Sequence, residues 1–112
     1  MRSRLSLLVA PAFLAGCLPH PPPPAAPYHA LGKDSGWHLV IDDKHVTFIP
    51  PGRQPIREPK PQVIVGVAGE IYRTARIDVN IVHGSCTVGD RAFPDRVQVS
   101  VDGTQHEGCG GL

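Results

Sequence analysis

Apolar and polar residues alternate along several short runs of the chain, which is the pattern of strands that bury one face. The clearest alternation lies in residues 71–83, from Arg76 onward, and in residues 97–101. No part of residues 37–112 has a sustained 3.6-residue apolar repeat, so strands rather than helices are predicted there. The apolar positions of the two runs are Ile77, Val79 and Ile81, and Val97, Val99 and Val101.

Short turns join predicted strands into hairpins. Asp42 and Asp43 separate residues 37–41 from residues 44–49, and Asp102-Gly103 precedes a returning strand over residues 104–109. In the first hairpin each strand has one apolar face, and we expect these faces to meet the core. The residues concerned are Trp37, Leu39 and Ile41 on one strand, and Val46 and Phe48 on the other.

The segments between these runs are less regular. Residues 53–61 contain three prolines and mixed charges and are expected to form a long surface loop. Residues 62–68 are apolar on both faces, which predicts a strand packed on both sides. We expect a tight turn at Gly69-Glu70 and a bulge near Thr74-Ala75, because thirteen residues from 71 to 83 are long for one strand. Residues 84–96 are expected to be irregular.

These elements together predict an all-β fold. Connections are short, which favours a small antiparallel meander of about six strands, closed into a barrel or sandwich.

The amino terminus has the layout of a secretory signal peptide over residues 1–16. Arg2 and Arg4 precede a short apolar run over residues 5–14. A helix of roughly a dozen residues rises about 18 Å, well short of a ~30 Å hydrocarbon core, so a lasting transmembrane span is disfavoured.

Leu14-Ala15-Gly16-Cys17 follows this run and resembles the bacterial lipobox at all four positions. The resemblance implies that the Cys17 thiol is diacylglycerated, that cleavage occurs before it, and that the new amino terminus is acylated. Leu18 is not the Asp that tends to hold such lipoproteins at the inner membrane, so an outer-membrane location facing the periplasm is favoured. The alternative is a secreted protein with an odd thiol.

Residues 17–36 form the predicted tether. Six prolines lie between Pro19 and Pro27, and proline favours an extended, stiff chain. A spacer is the preferred interpretation, and a ligand for a proline-binding domain is the alternative. Residues 37–112 are then the β domain.

The net charge of the chain changes when the signal peptide is removed. The chain has eleven Lys and Arg against ten Asp and Glu, and losing Arg2 and Arg4 leaves nine against ten. The remaining arginines are interleaved with acids, so no basic patch and no nucleic-acid partner are expected.

The cysteine count predicts one disulfide. With Cys17 assigned to lipid, Cys86 and Cys109 remain as a pair in an oxidising compartment. A metal site on two isolated thiols is disfavoured, because the chain has no C-x-x-C pattern.

A second resemblance covers roughly residues 83–109. His83-Gly-Ser-Cys86, Asp90-Arg91-Ala-Phe93-Pro94 and the final Gly108-Cys109 are similar to the carboxy-terminal signature of an uncharacterised family of small bacterial envelope lipoproteins. The loop after Cys86 is shorter here, Met is missing and Phe93 replaces Tyr. The resemblance supports the disulfide and the β fold and implies no activity.

Catalytic and metal-binding patterns are weak. His38, His83 and His106 are the histidines considered for a metal site, yet no H-x-H or H-x-x-x-H pair occurs. Ser85 beside His83 is the one suggestive neighbourhood for nucleophilic catalysis, without a Gly-x-Ser-x-Gly elbow. We therefore expect a protein that is not an enzyme and has no cofactor.

A binding or inhibitor-like role is the preferred hypothesis, because loops on a rigid sheet often carry recognition. The candidate contacts are Arg53, Arg57, Asp90 and Arg91, and an envelope protein, a saccharide or a host enzyme is the expected partner. The alternatives are a structural envelope protein that acts through an exposed strand edge, and a histidine-based metal-binding lipoprotein.

Overall fold

The structure is a computed structural model that describes residues 26–112, and in this range it contains nine β-strands and no helix. The predicted signal peptide, the lipobox with Cys17 and the prolines up to residue 24 lie outside the described residues. No helix in the described range is long and apolar enough to cross a membrane. The strands are β1 (Tyr28–Gly32), β2 (His38–Ile41), β3 (His45–Ile49), β4 (Ile56–Pro59), β5 (Ile64–Val65), β6 (Gly69–Arg73), β7 (Ile77–Val88), β8 (Arg91–Val101) and β9 (Thr104–Gly110).

All nine strands belong to one antiparallel sheet in the order β4-β3-β2-β1-β9-β8-β7-β6-β5. The sheet is two local meanders, β1–β4 and β5–β9, joined where the first strand pairs with the last. It curls into a half-barrel and brings its two ends together: Lys60 Nζ lies 6.0 Å from the ring centroid of Tyr72. The predicted all-β antiparallel fold is confirmed, with nine strands in place of six.

The concave face of the half-barrel, called here the inner face, holds the main core. Successive side chains of a strand point to opposite faces, so every second residue faces inward. The alternation predicted over residues 97–101, and within residues 71–83 from Arg76 onward, is confirmed, as is the first hairpin. The buried residues are Ala30, Trp37, Leu39, Ile41, Val46, Phe48, Ile77, Val79, Ile81, Val97, Val99 and Val101.

One of the three extra strands arises because an expected bulge is a tight turn. Residues 71–83 are divided at Thr74, whose hydroxyl oxygen accepts from the Ile77 N–H at 2.8 Å and whose N–H donates to the Ile77 carbonyl at 2.9 Å. This turn separates β6 from β7 in place of the expected bulge. Gly69 and Glu70, expected in a turn, begin β6. Residues 84–96, expected to be irregular, continue as β7 and β8 around a turn at Gly89 and Asp90.

The sheet begins nine residues earlier than the proline-rich composition predicts. Residues 28–32, expected in the tether, form β1, which pairs with both β2 and β9. A five-residue strand gives a weak signal in sequence, and its order comes from hydrogen-bonded neighbours on both sides. The tether predicted from Cys17 to residue 36 can therefore extend no further than Pro27.

The two edge strands also differ from expectation. Part of the predicted loop over residues 53–61 pairs with β3 as β4. Residues 62–68, expected to be buried on both sides, contain β5, where the exposed fractions of Ile64 and Val65 are 48% and 73%. The apolar composition was a misleading signal, because β5 is the last strand of the sheet and only β6 pairs with it.

A second, smaller cluster contains the predicted disulfide between Cys86 and Cys109, whose Cα atoms are 5.5 Å apart. The register of β7 against β8 shifts by one residue between His83 and Cys86, and in this arrangement the Cys86 side chain lies against Phe93 and Cys109. Cys109 lies on the convex face, called here the outer face, because its neighbour Gly108 faces the core. Because of this bulge, the disulfide joins β7 to β9 although β8 lies between them in the sheet.

Glycines allow β1 and β9 to meet closely. A side chain at Gly108 would collide with the Leu31 carbonyl and the Trp37 ring, and one at Gly110 would reach the Tyr28 hydroxyl. These two positions need glycine because Trp37 and Tyr28 cover β9 directly.

Candidate functional site

Strand register collects cationic side chains on the outer face of β1–β4. Ala30 and Leu39 face the core, so their neighbours His29 and His38 face outward. Ile56 packs against the core, which places Arg57 on the outer face as well. We call His29, His38, Arg53, Arg57 and Arg91 the cationic face; Arg53 comes from the β3–β4 loop and Arg91 from the β7–β8 hairpin.

The same alternation turns the one acid of these four strands away from this face. Glu58 is the one acid within the four strands β1–β4, and it pairs with the inward-facing Val46. Arg57 pairs with Thr47, Thr47 with Val40, and Val40 with His29, so one row of outer positions crosses four strands. Charges that alternate along the sequence are thus separated onto opposite faces of the sheet.

Two histidines at the centre of the cationic face are in direct contact. His29 Nδ1 lies 3.1 Å from His38 Nε2, and the two rings stack with centroids 5.3 Å apart. One nitrogen of this hydrogen bond has to accept, so at least one ring is neutral. Burial lowers the pKa of His38, and the neighbouring His29 lowers it further.

His38 lines two cavities of the cationic face. One, of about 320 Å³, has His29, His38 and Arg91 around a floor of Leu31, Phe93 and Leu112. The other, of about 690 Å³, lies between His38 and the loop that carries Arg53. No Asp or Glu side chain lines either cavity. The two cavities together form a concave surface with positive groups at both ends.

No salt bridge joins the three arginines of the cationic face to an acid among residues 26–112. Asp42, in the β2–β3 turn, nevertheless lies near enough to Arg57 to interact with its charge. The salt bridges in this range, which join atoms within 4.0 Å, involve Arg76 and His83. The Arg91 guanidinium lies 5.0 Å from the centroid of the Phe93 ring, which fixes its position. None of these three arginines is engaged in a salt bridge within residues 26–112, and Arg53 and Arg91 line the two cavities beside His38.

A different polar group lies at one end of the inner face. Asp95, which is 6% exposed, accepts a hydrogen bond from the Tyr28 hydroxyl at 2.8 Å. Its other oxygen lies 2.7 Å from His83 Nδ1, and His83 Nε2 lies 3.0 Å from Glu70. These four residues, called here the polar end, connect β1, β8, β7 and β6.

The chemistry of the polar end favours a protonated histidine. The hydrogen bond that His83 donates to Asp95, followed by the one it donates to Glu70, raises the pKa of His83. Burial, followed by the hydrogen bond to Asp95, raises the pKa of Tyr28. Both ring nitrogens of His83 face carboxylates, so neither is placed to take a proton from Ser85. The Ser85–His83 pair considered from sequence is not formed in this structure.

Three of the four binding residues predicted from sequence lie together. Arg53, Arg57 and Arg91 belong to the cationic face, whereas Asp90 lies in the exposed β7–β8 turn. The interleaving of arginines and acids in the sequence led to the expectation that no basic patch forms; in β4 the register puts the neighbours Arg57 and Glu58 on opposite faces. Sequence reasoning missed His29, which it placed in the tether; its alternation with Ala30 and Leu31 was the available signal.

The three histidines considered for a metal site lie apart. His38 is on the outer face, His83 is at the polar end, and His106 packs on the inner face with its ring centroid 5.0 Å from that of Phe48. Within residues 26–112 no group of three or more His, Cys, Asp or Glu residues is arranged to hold a metal ion.

Comparison of the chain with protein-family models, with curated proteins and with solved structures gives no match in any of the three. The function has to be argued from the residues and their geometry.

Proposed function

We propose that the chain is a lipid-anchored envelope lipoprotein whose β domain is a non-catalytic binding module for an anionic ligand. The observation that carries this proposal is the cationic face, where Arg53 and Arg91, which form no salt bridge within residues 26–112, line the two cavities that share His38. The Cys17 lipobox supplies the anchor, and the proline run supplies the spacer.

The geometry fits phosphate or carboxylate groups. Arginine presents planar, bidentate donors to both groups, and its charge is kept at all physiological pH values. The cavity beside Arg91 adds an apolar floor with imidazole nitrogens at its wall, which suits an anion attached to an apolar body. The separation between Arg53 and Arg91 on either side of His38 suits a ligand with more than one anionic group.

Heparin retention tests the cationic face, with heparin as the polyanion probe. The full chain with Cys17→Ser, which cannot be acylated, is compared with the same chain carrying Arg57→Gln and Arg91→Gln. We expect the double variant to elute at clearly lower salt, because each lost guanidinium removes a screened ion pair with the polyanion.

The matched control is Arg73→Gln, which removes one exposed charge from β6, a strand of the β5–β9 meander. Compared with a single Arg91→Gln variant, it should elute close to the parent chain. Equal shifts for Arg73→Gln and Arg91→Gln would mean that net charge alone sets retention, and the proposed face would be rejected.

The anchor has its own test. Radiolabelled palmitate should enter the wild-type chain and not the Cys17→Ser variant, and the variant should leave the membrane fraction. Unchanged membrane retention of the variant would contradict the lipoprotein assignment.

A structural role through an exposed strand edge is the second candidate. The observation that favours it is the exposure of Ile64 and Val65 on the last strand of the sheet. Large apolar side chains on an unpaired edge are a template for pairing with another strand. This edge belongs to the β5–β9 meander, whereas four of the five residues of the cationic face belong to the β1–β4 meander, so the two candidates can be tested separately.

A further inference from the structure

The β5 edge is unusual because it is both apolar and unprotected. Residues 62–68 contain no charged residue and no proline. Ile64 and Val65 are 48% and 73% exposed, and Val67 is fully exposed. Sheet proteins normally protect an edge with charge or proline, since an apolar edge pairs readily with another strand.

The opposite edge of the same sheet has both protections. Strand β4 carries Arg57 and Glu58 and ends at Pro59, and Lys60 and Pro61 follow directly. Proline has no N–H to donate to an incoming strand, and the charges resist desolvation. The sheet therefore has one edge that resists pairing and one that permits it.

The backbone of β5 is oriented for pairing. The Gly66 N–H donates to the Gly69 carbonyl at 2.8 Å, so Gly66 faces β6. In an antiparallel ladder the polar groups of successive residues point to opposite sides. The N–H and C=O of Val65 therefore point to the open side.

We propose that β5 pairs antiparallel with β5 of a second copy of this chain, around a two-fold axis near Val65. This pairing rests on the second candidate function, the strand-edge role, and names its partner. In a two-fold antiparallel pair a residue at the axis meets its own copy, so a charge there would face a like charge, and a charge elsewhere in this apolar segment would be left without a partner. Residues 62–68 are compatible with self-pairing because they contain none, whereas the charged β4 segment is not matched to the apolar β5 edge.

Photo-crosslinking in the intact envelope tests this pairing with the full, unmodified anchor. A photoreactive residue replaces Val67, and two copies of the chain with different epitope tags are expressed together. We expect irradiation to give a product of twice the monomer mass that carries both tags. The control places the photoreactive residue at Arg57 on β4, where no such product is expected.

A charge variant separates specific pairing from crowding in the membrane. Val65→Lys in both copies puts two ammonium groups near the two-fold axis and should lower the crosslinked product at least tenfold, because like charges directly opposite destabilise a strand pair. Val65→Thr keeps the β-branched shape and should retain most of the product. Urea unfolding of each variant, compared with the parent chain, verifies that the fold is intact.

Each outcome separates the proposals. A product that contains another protein and never both tags overturns self-pairing and leaves the strand-edge role standing. No product at Val67 overturns both the self-pairing and the strand-edge role, without affecting the cationic face. An equal yield from the Val65→Lys pair also overturns the self-pairing.

Discussion

The inner and outer faces of this sheet are stabilised in different ways. The inner face is a continuous apolar surface contributed by both meanders, and twelve buried residues form one cluster there. The outer face has a small cluster of Cys86, Phe93 and Cys109, and its cohesion includes a covalent bond. Apolar packing dominates on the inner face, whereas a disulfide reinforces the cluster on the outer face.

The difference shows how a short chain can leave one face without a large apolar core. A domain of this size buries a limited share of its surface, so two full cores are beyond its reach. The inner face uses most of the apolar residues, and the disulfide replaces the packing that the outer face lacks. Much of the outer face can then carry charged side chains such as those of the cationic face.

The largest expected effect comes from removing inner-face packing. Ile77→Ala should lower the free energy of unfolding by about 2–5 kcal/mol, because Ile77 is fully buried and the substitution leaves a cavity. Ile49→Ala is the matched control, since Ile49 is half-buried on the outer face. This substitution should lower the free energy of unfolding by roughly half as much or less. Urea unfolding of both variants measures the difference. Equal decreases in the free energy of unfolding would contradict the view that the inner face contributes more to stability than the outer face.

The second effect tests the covalent support of the outer face. Replacing Cys86 and Cys109 together by Ala should cost about 3 kcal/mol, because the bond closes a loop with a sequence separation of 23 residues in the unfolded chain. The wild-type chain unfolded under reducing conditions should show a similar loss. A loss below about 1 kcal/mol in both experiments would mean that Phe93 and its apolar neighbours hold this cluster without the bond.

The smallest effect concerns the polar end of the inner face and depends on pH. The folded state raises the pKa of His83 above its ordinary value of about 6.5. The stabilisation is therefore complete below that ordinary value and is lost as the pH rises through the raised pKa of the folded state. His83→Gln, which keeps a hydrogen-bonding side chain but does not titrate, should flatten this part of the stability curve.

Two measurements check the pH effect. Urea unfolding across this pH range should show the free energy of unfolding declining in the wild-type chain more than in His83→Gln. An NMR titration of the His83 ring should give a midpoint above that of an unfolded peptide. A midpoint at or below the peptide value would show that Asp95 and Glu70 do not stabilise the protonated ring.

The inner face is the part of the fold that sequence predicts well. Val97, Val99 and Val101 repeat with the period of a strand, and the Asp102-Gly103 turn follows them directly. Asp102 and Gly103 both have positive φ, as a tight two-residue hairpin turn requires. Period and turn chemistry are local properties, so they can be identified without knowing what the strand packs against.

The outer face and the edges depend on partners that sequence does not specify. Residues 62–68 have the composition of a buried strand, and only the strand order shows that β5 lies at an edge. The contact between His29 and His38 needs β1 beside β2, and the proline run concealed β1. The cationic face was predicted in part, since Arg53, Arg57 and Arg91 were selected as loop residues, while their common location follows from register.

The pairing of β1 with β9 has a consequence for how the protein folds. Residues 28–32 are synthesised first among the strands, and their partners in residues 108–110 are synthesised last. Each meander can form from neighbouring segments, but the half-barrel closes only after nearly the whole chain has become available, and such distant contacts are slow to form. We expect closure of this seam to be the late step of folding, completed on the far side of the membrane if the chain is exported.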